Sequence, residues 1–475
     1  MKSAPTKVIV AVGTYDGVLA GWEWKNDERS KFEISFATPV HDGSVRSLSI
    51  AQNAQLDQPG ALLSCGYDEV LRTHNFSKRM TSSGEIRTPS DLGTPVCAAF
   101  APPLVLVRSD DDDAEKPPHT THCLAGFASG QLVIYKKRDW SVQHILKGHE
   151  GGVSSMAVHP TGSMALTGGL ADGRLKLWDL TKGRLAYNHK IQPSRTTSEG
   201  RTFYDAINCI VWTDEAYVFC YGSHVTVKDV ATGTDLLDVE LPSKVNQVCF
   251  LYGPEGLFVA SANNDGSLAV LHVDKSGGEE RRAIMAIEPV EGPVAGEERF
   301  KCLQQVTNYQ VVTANSAGVV SLMDLSGAVR MIMQDGDDES KSDGKDDERE
   351  DESDSDDDEE EEEELAVNII DSVQLGTGNR VTCLAAWSTM TPLQVDDESE
   401  DGFEKEISDP NKEERISALQ TKSKNNEEMD KKRKLDNVQE LNATALERAR
   451  DLVASAKKIR EKRQQKSKKK TKAKR

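Results

Sequence analysis

A chain of 475 residues, 37% hydrophobic and with a formal net charge of −20, is long enough for one large globular body plus appendages. The charge is uneven: 21 acidic and 3 basic residues lie between Asp335 and Glu364, against 5 acidic and 18 basic between Lys431 and Arg475, so the extremes belong to segments rather than to the body. No run approaches 18 apolar residues and the 8 cysteines show neither C-x-x-C pairs nor zinc spacing, which excludes a helical membrane protein and a disulfide scaffold; a soluble intracellular protein with buried thiols and no membrane partner is expected.

In chain order, KVIVAVGTYDGVLAGWEW (7–24) reads as two strands around a glycine turn. A strand with period-2 alternation and a small residue near its start then recurs: VRSLSI (45–50), VCAAFA (96–101), VSSMAV (153–158), INCIVW (207–212), VNQVCF (245–250), FKCLQQ (300–305) and VTCLAAW (381–387). Ser47, Ser155, Cys209, Cys302 and Cys383 are the small residues, as suits a strand packed against a crowded ring centre. Six of the seven copies are followed by a hairpin such as MALTGGLADGRLKLWDL, and each hairpin, that at 7–24 included, is followed by a weaker fourth strand, from FEISFATPV near the start to VNIIDSVQL (367–375). The last copy has no hairpin after it and the first hairpin has no strand before it. Each completes the other, so the ring closes through a blade that shares 381–387 with 7–40 and the body spans 1–390.

The fullest repeat, LKGHEGGVSSMAVHPTGSMALTGGLADGRLKLWDL (146–180), pairs Gly148-His149 with Trp178-Asp179, the signature of a WD40 blade. A single four-stranded blade buries too little apolar surface to stand alone, so the repeats must close into a ring. The expected fold is all-β: a seven-bladed WD40 β-propeller, with a disordered acidic insertion at 335–364 between the third and fourth strands of a late blade, and a basic, partly helical tail over 391–475.

His149, Thr167, Asp172 and Trp178 stand where WD40 proteins place a structural hydrogen-bonded tetrad, although Thr167 and Asp172 are one residue further apart than usual. Such a tetrad satisfies buried polar groups and performs no chemistry. No nucleophile elbow, phosphate loop, zinc motif or calcium loop is present, so the chain reads as a non-enzyme without cofactor or metal. Ser353 and Ser355, in SDSDDDEE, match the sequence context of acidophilic casein kinase substrates. In the tail, Lys431, Lys432, Arg433 and Lys434 form a candidate nuclear-import run. Val438, Ala445, Leu452 and Ile459 recur every seven residues, which predicts a basic helix over about 436–466 able to neutralise RNA phosphates.

The segment KGHEGGVSSMAVHPTGSMALTGGLADGRLKLWDLTKGRLAYNHKI, followed by AINCIVW, resembles the PAK-interacting WD-repeat proteins, the family of yeast Mak eleven, and RVTCLAAW resembles that family's final strand. The resemblance covers roughly 7 to 390 and is strongest over 146–212. It implies a scaffold in the nucleus and nucleolus for assembly of the large ribosomal subunit and pre-rRNA processing. Its partners would be pre-ribosomal proteins and, through the tail, rRNA; the chain would be monomeric within a larger assembly. In animals the resemblance also implies negative regulation of p21-activated kinases. A histone-binding propeller is the remaining alternative, because an acidic loop suits basic tails.

Overall fold

Apolar residues at alternate positions, broken at short intervals by Gly, Asp and Asn, fold here into short antiparallel strands joined by tight turns. The structure is a computed structural model that describes residues 7–27, 30–51, 59–76, 82–89, 91–102, 120–253, 256–274, 282–286, 299–338, 366–376 and 379–389. All of these lie within the compact unit Met1–Leu393.

The strands form seven four-stranded antiparallel sheets, which are the blades of a propeller. Blade 1 comprises Val45–Ile50, Ala61–Gly66, Val70–Asn75 and Ser82–Arg87; blade 2 comprises Pro95–Phe100, His122–Phe127, Gln131–Lys136 and Val142–Lys147. Blade 3 runs through Val153–Val158, Met164–Gly169, Arg174–Asp179 and Arg184–Lys190, and blade 4 through Ile207–Trp212, Ala216–Tyr221, His224–Asp229 and Asp235–Glu240. Blade 5 holds Val245–Gly253, Gly256–Asn263, Ser267–Val273 and Arg282–Ala286; blade 6 holds Phe300–Gln305, Gln310–Asn315, Val319–Asp324 and Asn368–Gln374. In blade 7 the innermost strand is Val381–Thr389, followed outward by Lys7–Thr14, Val18–Lys25 and Glu33–Pro39. The chain therefore pairs its two distant ends, from Lys7 opposite Thr389 to Thr14 opposite Val381, and leaves no open seam in the ring.

The apolar core lies between blades rather than within them. Seven buried clusters occupy the seven blade–blade interfaces. Two of these flank the closing blade: Val8, Val10, Trp22 and Trp24 pack on Val312, Ala314 and Leu322 of blade 6, and Ala11, Leu19 and Phe36 pack on Val45 and Leu62 of blade 1. At about 1.5–3 kcal/mol for each fully buried large apolar side chain, these interfaces, not the strand hydrogen bonds alone, hold the ring together.

The small residues on the inner strands face the neighbouring blade, where Ser155 Oγ donates to Ile207 O at 2.6 Å and Cys383 Sγ lies 3.9 Å from Val45 O, and glycines on the second strands meet the same close approach. A Cβ added at Gly13 would lie 2.7 Å from both Cys383 Sγ and Val45 of the next blade. At Gly168 it would lie 2.6 Å from Ile207 and 2.8 Å from Ser155 Oγ. Every inner strand also carries an irregularity in register at its second residue, between Val45 and Ser47, for example, or between Phe300 and Cys302. That bulge frees one residue per blade from the ladder.

One helix, α1 (Ser326–Asp338), follows the third strand of blade 6. Ala328, Val329 and Ile332, spaced one turn apart, bury against the blade 5–6 cluster with Met323 and Leu325. Asp324 Oδ1 accepts from Ser326 N at 2.8 Å at its start. Sequence periodicity does not single out this helix. It takes up the first four residues of the block expected to be a disordered loop at 335–364; the remainder of that block lies outside the described residues.

Candidate functional site: blade tetrads and the channel mouth

His149 sits in the loop that leaves blade 2, where its backbone N–H donates to Gly130 O at 3.0 Å. Its ring reaches into blade 3. Nδ1 meets Asp172 Oδ2 at 2.9 Å and Nε2 meets Thr167 Oγ1 at 2.8 Å, while the Trp178 indole N–H donates to the same hydroxyl at 2.8 Å. These contacts fix the tautomer: Nδ1–H donates to the carboxylate, and Nε2 accepts the threonine O–H. The wider spacing between Thr167 and Asp172 is absorbed in the turn Leu170–Gly173, where Gly173 has φ of 62°. Burial works to raise Asp172, but the hydrogen bonds and charge of His149 outweigh it and hold the carboxyl below its ordinary value. Thr167 is 0% exposed and its hydroxyl donates to His149 and accepts from Trp178, so it is held out of reach of a substrate. The tetrad thus ties blade 2 to blade 3.

A second constellation of this kind escapes the sequence pattern. In blade 1, His41 Nδ1 meets Asp68 Oδ1 at 2.8 Å and Nε2 meets Ser64 Oγ at 2.8 Å, and Ser64 Oγ accepts from His74 Nε2 at 3.0 Å. Arg72 Nη1 donates to Asp68 Oδ2 at 2.7 Å. Here His74 replaces the tryptophan and Val40 replaces the glycine before the histidine. The two changes go together physically. A Cβ at Gly148 would lie 2.4 Å from Cζ2 of Trp178, whereas the smaller His74 leaves room for Val40. The exchange has a cost: His74 Nδ1 is buried without a hydrogen-bond partner among the described residues. Burial, and then the charges of His41 and Arg72, push His74 down to about 4. The spacing Ser64-x-x-x-Asp68 was the available signal.

The bulged second residues, Arg46, Val96, Ser154, Asn208, Asn246, Lys301 and Thr382, line a central cavity of about 330 Å³. Four of them stitch adjacent blades. Ser154 Oγ donates to Ile207 O at 2.8 Å, Asn208 Nδ2 to Val245 O at 2.9 Å, Asn246 Nδ2 to Phe300 O at 2.6 Å and Thr382 Oγ1 to Val45 O at 2.7 Å. The thiols beside them are inert at neutral pH: burial pushes Cys97 and Cys383 up to about 12. His159, of the H-P-T-G motif, forms a turn with Thr161 at 2.8 Å and packs edge-on against Trp212 of blade 4 at 4.8 Å. Ser353, Ser355, Lys431, Lys432, Arg433, Lys434 and the helix expected over 436–466 lie outside the described residues. Among the described residues no cluster of His, Cys, Asp or Glu could hold a metal ion, and no helix is long and apolar enough to cross a membrane.

A family model described as WD domain, G-beta repeat matches residues 140–179, the end of blade 2 and most of blade 3. A relative in Schizosaccharomyces pombe, Shk1 kinase-binding protein 15, is 25% identical over 314 residues, covering 66% of this chain and 76% of that protein. A p21-activated protein kinase-interacting protein 1-like protein of Xenopus laevis is 23% identical over 243 residues, covering 50% of this chain and 56% of the relative, so the match spans little more than half of the frog protein. A rat protein, Telomerase Cajal body protein 1, is 26% identical over 164 residues, covering 33% of this chain and 27% of its own length.

Proposed function

A WD40 propeller related to the p21-activated kinase-interacting WD-repeat proteins, this chain is, we propose, a non-catalytic scaffold that assembles the large ribosomal subunit and supports pre-rRNA processing in the nucleolus. The observation that carries the scaffold reading is the fate of its reactive side chains. The hydroxyls at the centre of the two blade constellations, Thr167 and Ser64, are both 0% exposed and hydrogen-bonded within their blades, while Thr121 and Thr161 each bond a histidine one or two residues away. What the ring offers the solvent is surface: two faces, a rim and the ends of 28 strands. The resemblance of 146–212 to the Mak eleven family supports the ribosomal role, and the basic runs at 431–434 and 466–475 suit import and phosphate contact. The nuclear name of the rat relative supports the compartment. The experiment is sedimentation of the tagged full chain together with analysis of rRNA intermediates after its depletion. Co-migration with large-subunit precursors and accumulation of their unprocessed RNA support the reading; migration as free protein with normal processing overturns it.

A second reading, restraint of a kinase by direct binding, is favoured by the kinase-binding names of the yeast and frog relatives. Purified chain should then capture the regulatory segment of a p21-activated kinase, and failure to bind in purified form rejects it.

A further inference from the structure

We propose that the end of the channel where the inner strands begin is a docking surface for an acidic peptide segment of a partner protein, read by an arc of cations on blades 5, 6, 7 and 1. Three of these, Lys244, Arg299 and Arg380, each stand one residue before an inner strand. Two more, Arg46 and Lys301, are bulged second residues that line the cavity. The backbone fixes the first three at one end of the ring. Lys244 O accepts from Asn264 N at 2.8 Å, Arg299 O from Ser316 N at 2.8 Å and Arg380 O from Tyr15 N at 2.9 Å, each donor lying on the turn between the second and third strands of its own blade.

Five cations gathered at one mouth are unexpected in a chain of net charge −20. None of the five forms an ion pair among the described residues. The carboxylates on the neighbouring turns are partly committed: Asp68 to Arg72 and His41, and Asp265 to Ser267. Asp16, Asp42 and Glu69 remain, so among the described residues cations outnumber free acids at the mouth. The cations also crowd one another, since burial and then the charge of Arg299 hold Lys301 below the ordinary lysine value. A carboxylate placed among them relieves that repulsion.

The same arc carries exposed aromatic surface: Tyr15 is 63% and Tyr67 62% exposed, on the turns of blades 7 and 1. On the opposite arc the equivalent positions are uncharged: Thr94, Gly152 and Ala206 before the strands, Val96, Ser154 and Asn208 at the bulges. A mouth with neighbouring cations, flanking tyrosines and a cavity of about 330 Å³ suits one or two carboxylates presented by a short peptide whose apolar neighbours rest on the rings. RNA is the poorer fit, because a polyanion follows a continuous basic groove and this arc encircles a hole. The chain's own acidic block leaves blade 6 after its third strand, at the opposite end of that strand from the mouth.

This surface rests on the scaffold reading, and the two fail separately: loss of peptide docking leaves co-sedimentation with pre-ribosomal particles to be judged by itself. The test uses the full chain and a fluorescent dodecapeptide of Glu and Leu carrying one photoreactive phenylalanine, with a Gln-for-Glu peptide and a twelve-residue oligouridylate as comparators. The Glu peptide should bind at least tenfold more tightly than the Gln peptide and cross-link near Tyr15 and Tyr67. Arg46→Glu/Lys301→Glu should lose those cross-links and weaken binding at least tenfold, while Lys182→Ala/Arg184→Ala, far from the mouth, should change neither. Equal binding of the two peptides, tighter binding of the oligouridylate, or cross-links confined to the basic tail would overturn the proposal. So would a tenfold gain on removing 340–364, because the occupant would then be the chain's own acidic block.

Discussion

Replacing Thr167 by Val keeps the size of the side chain and deletes one hydroxyl, which now meets His149 Nε2 and Trp178 Nε1 at 2.8 Å each. Both nitrogens would remain buried with no partner. An unsatisfied buried polar group costs about 1–3 kcal/mol, so the pair costs about 2–6 kcal/mol. The added methyl returns up to about 1 kcal/mol of apolar burial, leaving a net loss of about 1–5 kcal/mol. Thr167→Ser retains the hydroxyl and loses only a methyl, about 1 kcal/mol. In Thr167→Val/Trp178→Phe the stranded indole N–H is gone, so the double variant should cost less than the sum of its parts by about 1 kcal/mol or more. Urea unfolding of the full chain, followed by far-UV circular dichroism, gives all four values. A Thr167→Val variant no less stable than Thr167→Ser would refute the claim that the tetrad ties blade 2 to blade 3.

Acid should loosen blade 1 before the rest. His74 lies at about 4 in the fold against 6.5 ordinarily, so the unfolded chain binds the extra proton between these values. The stability tied to the neutral ring is complete above pH 6.5 and falls by about 3 kcal/mol as pH drops towards 4. His41, also lowered by burial, acts in the same direction. Asp68 and Asp172, held low, add a further loss only below their ordinary 3.8. His74→Phe should remove part of the first step in a stability–pH profile, and an unchanged profile would exclude His74 as its source. Gly148→Ala should cost about 1–3 kcal/mol, because its Cβ would lie 2.4 Å from the Trp178 ring; Gly148→Val/Trp178→His, which copies blade 1, should recover part of that loss in the same urea assay. Glu69 has φ of 62° at the place where Gly17, Gly173 and Gly266 sit in other blades, so Glu69→Gly should raise stability by about 0.5–1 kcal/mol, read as a higher Tm. Ending the chain after Thr389 should preserve the folded circular dichroism spectrum. Ending it after Arg380 removes the inner strand of blade 7 and should abolish cooperative unfolding.

The fold class was legible because a propeller repeats its own hydrophobic pattern. Seven first strands, and a hairpin and a strand left over at opposite ends, leave few ways to arrange the chain. What the pattern hides is whatever only the ring brings together. The blade 1 constellation lacks both Gly-His and Trp-Asp, since Val40 and His74 exchanged volume across the same gap, and only the Ser64–Asp68 spacing remained as a signal. Helix α1 was masked by its length: Ala328, Val329 and Ile332 give one apolar turn before the acidic block begins. The mouth cations are scattered between positions 46 and 380, and no local window contains more than two of them. Even the small inner-strand residues were legible in place but not in surroundings, because the carbonyls that Ser155 and Cys383 meet, Ile207 O at 2.6 Å and Val45 O at 3.9 Å, belong to the next blade.

The scaffold claim meets its most direct test in a sucrose gradient of cell extract containing the tagged full chain. The account predicts that the protein migrates with large-subunit precursor particles, and that its depletion accumulates unprocessed large-subunit rRNA. A protein found wholly in the free fractions, with rRNA processing intact after depletion, would contradict it.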